Sequence, residues 1–308
     1  KKSIVFIFGP TASGKTDIAI ELKEKFPVEL VSVDSVMVYK GCDIGSAKPS
    51  KEVLKKYPHH LIDVLSPNEI FTVGDFCRFS KNIIQDIHNK NKIPIFVGGS
   101  MMYFRSLYLG MHNLPNRDQN LRKQLKKLKS NNDEYFLFNR LKKIDPDYAN
   151  KINKNDEVRI VRALEVYENS GLKMSRINSN DSKKNLTENY NVVQFCTFYE
   201  RNILHERIKN RLDRIIECGF INEAKNLLNK YNIDIDHPIR KSVNYRQAFD
   251  YLENIYSYET FYEKALFATR QIAKRQITWI RSWDKFTKIS SDKYELLHNS
   301  IKKLISAL

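Results

Sequence analysis

Gly9-Pro10-Thr11-Ala12-Ser13-Gly14-Lys15-Thr16 decides the fold of this 308-residue chain. The stretch fits G-x-x-x-x-G-K-[ST], the pattern of a phosphate-binding loop. Before it, Ile4-Val5-Phe6-Ile7-Phe8 is a continuous apolar run, which predicts a parallel strand buried on both faces. After it, Ile18, Leu22 and Phe26 recur at four-residue spacing and predict one face of a helix. The loop therefore joins a buried strand to a helix N-terminus, where backbone N–H groups converge and the helix dipole favours negative charge. Gly9, Thr11, Ala12, Ser13, Gly14, Lys15 and Thr16 are the candidate phosphate-binding residues; Lys15 adds a compact positive charge and the Thr16 hydroxyl can reach a bound Mg²⁺. The pattern does not choose among phosphate compounds, since any diphosphate suits the same N–H cradle.

Working outward, an α/β architecture follows. Leu30-Val31-Ser32-Val33 predicts a second strand, ending at Asp34. Ligands of doubly wound sheets sit outside the carboxyl ends of the strands, so Asp34 belongs beside the phosphate loop. Three roles compete for it: a water-mediated Mg²⁺ ligand, a general base, or a cap of the following segment. The polar stretch Tyr39 to Tyr57 reads as an active-site loop. His59-His60 reads as structural, Leu61-Ile62-Asp63-Val64 as a short strand, and Asp75 to His88 as an amphipathic helix. Ile93-Pro94-Ile95-Phe96-Val97 is a further buried strand running into Gly98-Gly99-Ser100, where paired glycines admit close backbone approach and Ser100 offers a hydroxyl. Strand and crossover helix alternate throughout, as in a P-loop NTPase-like parallel sheet.

From residue 113 the texture changes. Up to His112 there are 15 basic and 11 acidic residues and eight of the ten glycines; the other 196 residues carry twelve of the sixteen net positive charges. Leu121 to Leu128, Glu134 to Lys143, Pro146 to Ile152 and Glu157 to Asn169 predict helices, and Asn178 to Asn191 a mobile loop. Val192 to Phe198 then returns as a strand, which makes 113–191 a helical insertion domain and 1–112 with 192–308 the catalytic core. In the helical C-terminal part, Leu204, Ile208, Leu212, Ile215 and Ile216 form an apolar stripe flanked by Arg207, Arg211 and Arg214 at helical spacing. The helix Glu259 to Trp283 sets Arg270, Lys274, Arg275 and Arg281 against another apolar stripe. Basic and aromatic groups interleaved suit RNA phosphates and base stacking. A net charge of +16 agrees with a polyanionic partner, although the abundance of Lys, Asn and Ile makes compositional bias a competing source of that charge.

Four cysteines, Cys42, Cys77, Cys196 and Cys218, form no C-x-x-C pair, so neither a zinc site nor a disulfide framework is expected. No apolar run approaches membrane-spanning length. A phosphate loop lying within the first sixteen residues argues against reading Lys1-Lys2 and the following apolar run as a signal peptide. A cytoplasmic monomer without membrane association is the expectation.

The ordered set Gly9 to Thr16, Val33-Asp34-Ser35, Tyr39-Lys40-Gly41, Asp43-Ile44-Gly45, Ala47-Lys48-Pro49, Gly98-Gly99-Ser100, and Ala268-Thr269-Arg270-Gln271 to Lys274-Arg275-Gln276-Ile277-Thr278-Trp279 closely resembles the bacterial tRNA dimethylallyltransferase (tRNA isopentenyltransferase) family over nearly the whole chain. The resemblance implies transfer of a dimethylallyl group from dimethylallyl diphosphate to N6 of the adenosine immediately 3′ of the anticodon, with Mg²⁺ and release of diphosphate. It implies Asp34 as proton acceptor, with Ser100 beside it, and Arg207 or Arg211 on the diphosphate. It places Asp34, Ser35, Val36, Met37, Ser100, Arg122, Val158, Arg159, Ile160, Val161, Arg162, Lys241, Ser242, Val243, Asn244, Tyr245 and Arg246 on the tRNA path, with the insertion against the anticodon stem-loop. Ser100 stands where the family usually has Thr, which keeps a hydroxyl. Asn244 stands where it usually has Gly, and Asn is the least costly substitute if positive φ is required. The nearest rival is an adenylate isopentenyltransferase acting on free nucleotides, which needs neither a basic body nor a helical insertion. A small-molecule kinase and a non-catalytic RNA-binding protein are further rivals.

Overall fold

The computed structural model describes residues 1–112, 114–177, 185–289 and 294–306. Contacts divide the chain into two units, residues 1–108 with 185–308, and residues 109–184.

The first unit is built on a six-stranded parallel sheet: β1 (Ser3–Phe8), β2 (Val28–Val33), β3 (His59–His60), β4 (Ile93–Gly98), β5 (Asn191–Thr197) and β6 (Thr287–Ile289), in the order β3-β2-β4-β1-β5-β6. It is an α/β fold of the P-loop type. The apolar run of β1 is buried on both faces because alternate residues serve different cores. Ile4, Phe6 and Phe8 join one cluster with Val31, Val33, Phe96 and Phe104. Val5 and Ile7 join the other with Leu30, Ile95 and the helix residues Ile18, Ala19 and Leu22. Each such side chain contributes about 1.5–3 kcal/mol by leaving water, which is what holds the central strand in place.

Register then sets the site. Phe8 and Val33 both pair with Gly98, and Phe8 also pairs with Cys196, so the ends of β1, β2, β4 and β5 are level. β2 to β4 lie on one side of β1, and β5 and β6 on the other. The topological switch falls at the carboxyl end of β1, where the phosphate loop begins.

Three local expectations differ from the structure. Leu61 to Val64 is not a strand: Leu61 and Asp63 have φ of 65° and 55°, so the chain turns immediately after His60. The Tyr39–Tyr57 stretch is not simply a loop. Val38, Tyr39 and Cys42 are core residues, and Lys51–Lys56 is helical. The Lys48 side chain is 2 % exposed and donates to Tyr39 O, Asp43 and Asp63, which knots the segment together. The edge strand β6 has only three residues and shows no period that sequence could reveal.

The second unit packs the helices Gln119–Ser130, Phe136–Ile144 and Glu157–Ser170 around Leu125, Leu137, Leu141, Ile160, Val161 and Leu164. At its centre the fully buried Glu165 accepts from Arg122 Nε (2.7 Å) and Nη2 (2.9 Å), from Arg162 Nη1 (2.6 Å) and from the Asp118 N–H (2.8 Å). These donors outweigh the cost of burial and hold its carboxyl down at about 2. The helices at Pro146 and Glu157 begin where the sequence predicts and the other two within two residues of it, whereas the unit spans 109–184 against the expected 113–191. Of the Asn178–Asn191 stretch, 178–184 lie outside the described residues; Leu186–Asn189 is a helical turn and β5 begins at Asn191.

Candidate active site

The ends of β1, β2 and β4 open into a cavity of about 610 Å³. The phosphate loop forms one wall. Gly14, at φ 75°, caps the helix Lys15–Lys25 in a left-handed conformation that a side chain would strain. Ser13 is buried and its Oγ lies 2.5 Å from Thr197 Oγ1, which ties the loop to β5. Lys15 Nζ folds back to donate to Pro10 O (2.6 Å) and Ser13 Oγ (3.2 Å). Burial, with Arg211 nearby, lowers the Lys15 pKa to about 7.

The opposite wall is the helix Arg201–Glu217. Its apolar stripe Leu204, Ile208, Leu212 and Ile215 is buried, which leaves Arg207, Arg211 and Arg214 on the cavity. Arg207 Nε donates to Ala12 O (2.7 Å) and its guanidinium lies 4.8 Å from the centre of the Tyr199 ring. Arg211 donates to Ser46 O (3.4 Å), and burial lowers its pKa against the pull of Asp34 and Asp17. Lys15 and the three arginines face only two carboxylates on the lining, Asp17 and Asp34, so the cavity carries a positive excess suited to a polyanion.

Asp34 uses one of its oxygens as a cap. Oδ1 accepts from the N–H groups of Val36 (2.8 Å) and Met37 (3.0 Å), which caps the turn after β2. This fixes the carboxylate on the cavity lining and leaves Oδ2 outside the turn's hydrogen bonds. Among the described residues no three His, Cys, Asp or Glu side chains cluster as a metal site. The donor set here, the Thr16 hydroxyl beside a phosphate cradle, fits a cation carried mainly by phosphate oxygens and water, as Mg²⁺ usually is.

The expected residues do not all reach this cavity. Thr11, Ala12, Ser13, Gly14, Lys15, Thr16, Asp34, Met37, Arg207 and Arg211 line it. Gly9 does not; it packs beneath the loop against Thr197. The Thr11 N–H is unavailable to a phosphate because it donates to Gln276 Oε1 (2.8 Å). Ser100 starts the helix Met101–Leu109 one residue beyond the lining glycines Gly98 and Gly99, its N–H on Val33 O. Ser35 and Val36 form the turn that Asp34 caps.

Several residues expected on the RNA path are buried or engaged within the protein. Tyr245 is fully buried and donates to Glu223 (2.6 Å), so its ring faces protein, not RNA. Asn244 is buried at φ 71°, its side-chain amide donating to Gly45 O (3.0 Å), so it meets the conformational demand of a glycine position and stays inside. Ile160 and Val161 belong to the second unit's core, while Arg122 and Arg162 are engaged by Glu165. Val158, Arg159, Lys241 and Arg246 are exposed; Ser242 and Val243 are half-buried.

Three residues given no site role by the sequence belong here. Gln276 interrupts the buried side of its helix between Ala273 and Ile280, a misplaced polar group that could have flagged it. Glu223 accepts from the N–H groups of Asp43 (3.0 Å), Ile44 (2.7 Å) and Gly45 (3.0 Å), pinning the loop next to the cavity. His59 lines the cavity with Nδ1 on Tyr57 O (2.8 Å), while its buried Nε2 has no hydrogen-bond partner; burial lowers its pKa.

A family model described as IPP transferase matches residues 37–283. The chain belongs to the IPP transferase family. The matched span begins just past Asp34, but full-length relatives cover the phosphate loop as well. A tRNA dimethylallyltransferase of Buchnera aphidicola subsp. Baizongia pistaciae is 40 % identical over 310 residues, covering 100 % of this chain and 94 % of that protein. The full-length tRNA isopentenylpyrophosphate transferase of Bacillus halodurans superposes with a TM-score of 0.71 at 31 % identity, covering 100 % and 98 % of the two chains. A eukaryotic dimethylallyltransferase solved acting on tRNA gives 0.77 at 27 % identity, covering 96 % of this chain and 75 % of its own. No helix among the described residues of this family member is long and apolar enough to cross a membrane.

Proposed function

We propose that the protein transfers a dimethylallyl group from dimethylallyl diphosphate to N6 of the adenosine immediately 3′ of the anticodon in tRNA. The observation that carries the reading is the convergence of a diphosphate cradle and a fixed carboxylate on one cavity. A kinase would need the same loop. A carboxylate with one oxygen held by the turn and the other open suits proton removal from an incoming amine.

In the reaction the N6–C1 bond forms as the C1–O bond to diphosphate breaks, and the N6 proton passes to Asp34 Oδ2. Loop N–H groups, Lys15, Arg207, Arg211 and Arg214 stabilise the charge developing on the leaving diphosphate, and a polar cage of this kind is usually the largest single contribution to such catalysis. Mg²⁺, when bound with the diphosphate, adds Lewis-acid stabilisation, and the Thr16 hydroxyl is the residue to hold it. Adenine N6 is a weak nucleophile, so orientation in a closed channel matters, and the base must leave its stack to enter. Arg159 and the lysines of the Gln119–Ser130 helix in the second unit, with Lys241, Arg246 and the basic face of the Tyr258–Arg281 helix, are assigned to the anticodon stem-loop.

The test is transfer from dimethylallyl diphosphate with Mg²⁺ to unmodified tRNA, with nucleosides read by mass. One added prenyl mass on an anticodon-loop adenosine is the expected result. Addition to free AMP but not to tRNA would replace this reading with the adenylate enzyme. ATP consumption with no prenyl product would replace it with a kinase.

A further inference from the structure

Gln276 stands 265 positions from the phosphate loop in sequence and touches it in space. Its carboxamide is used at both ends. Oε1 accepts the Thr11 N–H at 2.8 Å, and Nε2 donates to Gly99 O at 2.9 Å. One planar group therefore bridges the loop after β1 and the glycine turn after β4, and all three partners line the catalytic cavity. Gly99 is part of the device: a Cβ there would lie 2.4 Å from Gln276 Nε2, so a larger residue would push the carboxamide out of this position. The connection continues to the carboxylate. The N–H of Ser100, next in the chain, donates to Val33 O (3.3 Å), and Val33 is followed directly by Asp34. Loop, carboxamide, glycine turn and carboxylate form one chain of contacts.

We infer that Gln276 is a positioning residue that sets the distance between the diphosphate cradle and the Asp34 carboxylate. This rests on the proposed prenyl transfer, in which leaving group and incoming amine must sit on one line through the transferred carbon. The carboxamide suits the task because one end is only an acceptor and the other only a donor, so it holds its orientation without a charge in a cavity whose charges are needed for the substrate. Its helix, Tyr258–Arg281, also carries the basic face assigned to RNA, so one element joins that face to the loop.

Two variants test this. Gln276→Met keeps the volume and removes both hydrogen bonds. It is expected to unfold thermally near the wild type, to bind inorganic diphosphate about fivefold more weakly, and to turn over roughly 10²-fold more slowly with an unchanged KM for tRNA. Gln276→Glu carries the sharper signature. As a carboxylate it meets the Gly99 carbonyl without a donor; once protonated it again offers one donor and one acceptor. Its kcat relative to wild type at the same pH is therefore expected to rise as pH falls, at constant helical content. A pH-independent ratio, or a folded Gln276→Met enzyme with kcat and diphosphate affinity within twofold of wild type, would overturn the inference. If wild-type protein transfers no prenyl group, the functional reading falls. The bridge is then judged by diphosphate affinity alone, and unchanged affinity in Gln276→Met refutes it.

Discussion

Binding of diphosphate at this site should draw a proton from solution, and Lys15 is the reason. Its ammonium is buried against Pro10 O and Ser13 Oγ beside the Arg211 guanidinium, and its pKa falls from 10.5 to about 7. At pH 8 roughly nine-tenths of the empty protein therefore holds a neutral lysine. A diphosphate brought to the loop places several negative charges against Nζ and restores the ammonium, with an uptake of about 0.9 proton at that pH. Affinity should weaken by up to about tenfold per pH unit above 7, because only the protonated fraction is ready to bind. Calorimetric titration of inorganic diphosphate at pH 8, in two buffers of different ionisation enthalpy, counts the protons. Lys15→Met, which titrates nowhere, subtracts those belonging to the ligand. Equal proton counts in wild type and variant would refute the reasoning, as would a wild-type affinity that tracks the variant's from pH 6.5 to 8.5. The same residue links pH to stability with a definite sign. Its folded pKa lies below its unfolded one, so the unfolded chain binds more protons between about 7 and 10.5, and stability of the empty protein rises with pH across that window. Below pH 7 the lysine is charged in the folded as in the unfolded chain, and its burial opposes folding until an anion binds beside it.

Other substitutions separate further roles. Asp34→Asn keeps an oxygen for the Val36 and Met37 N–H groups but loses the base, so tRNA affinity should stay within about twofold while turnover drops about 10²–10⁴-fold; unaltered turnover would remove Asp34 from the chemistry. Glu165→Ala leaves Arg122, Arg162 and the Asp118 N–H without their acceptor and should destabilise the second unit by about 3–5 kcal/mol, measured by denaturant unfolding. Because the Glu165 pKa is depressed to about 2, its stabilisation is present above about 4.5 and lost as pH falls toward 2, a loss that Glu165→Gln should not show in acid unfolding. Affinity for tRNA should fall linearly on a logarithmic salt scale through phosphate contacts, and a flat dependence would dismiss the basic surface as the docking face.

What sequence could disclose here follows from how far each cause reaches along the chain. The phosphate loop was legible because strand, turn and helix start are contiguous, and each is set by residues within a few positions: apolar continuity for β1, Gly14 for the left-handed turn, Ile18 and Leu22 for the helix face. Asp34 was placeable because a parallel sheet delivers its strand ends to one edge. The arginines on the cavity were legible as a helical stripe, since burying Leu204, Ile208 and Leu212 leaves Arg207, Arg211 and Arg214 only one direction. Leu61 to Val64 misled because an apolar pattern carries no record of positive φ at Leu61 and Asp63. Burial of Tyr245, Ile160 and Val161 within the stretches assigned to RNA went unseen for the opposite reason: a motif names a segment, while burial selects within it one residue at a time.

Gln276, Glu223 and Glu165 share a different kind of invisibility. Each is a single polar side chain that satisfies backbone or guanidinium groups far away in sequence, and no local pattern names that partner, even for Gln276, which lies inside a quoted motif. Their contributions are nonetheless of the size that matters at a site. A buried donor left without its acceptor costs about 1–3 kcal/mol, and a displacement of about 1 Å between reacting groups costs about 10²-fold in rate. Local motifs therefore determine where the cavity lies and what charge it carries. The spacing between diphosphate cradle and carboxylate is held by the carboxamide of Gln276, and the loop beside them by the carboxylate of Glu223. A redesign that kept every other motif residue and replaced these two with apolar side chains of equal volume should lose most of its prenyl transfer.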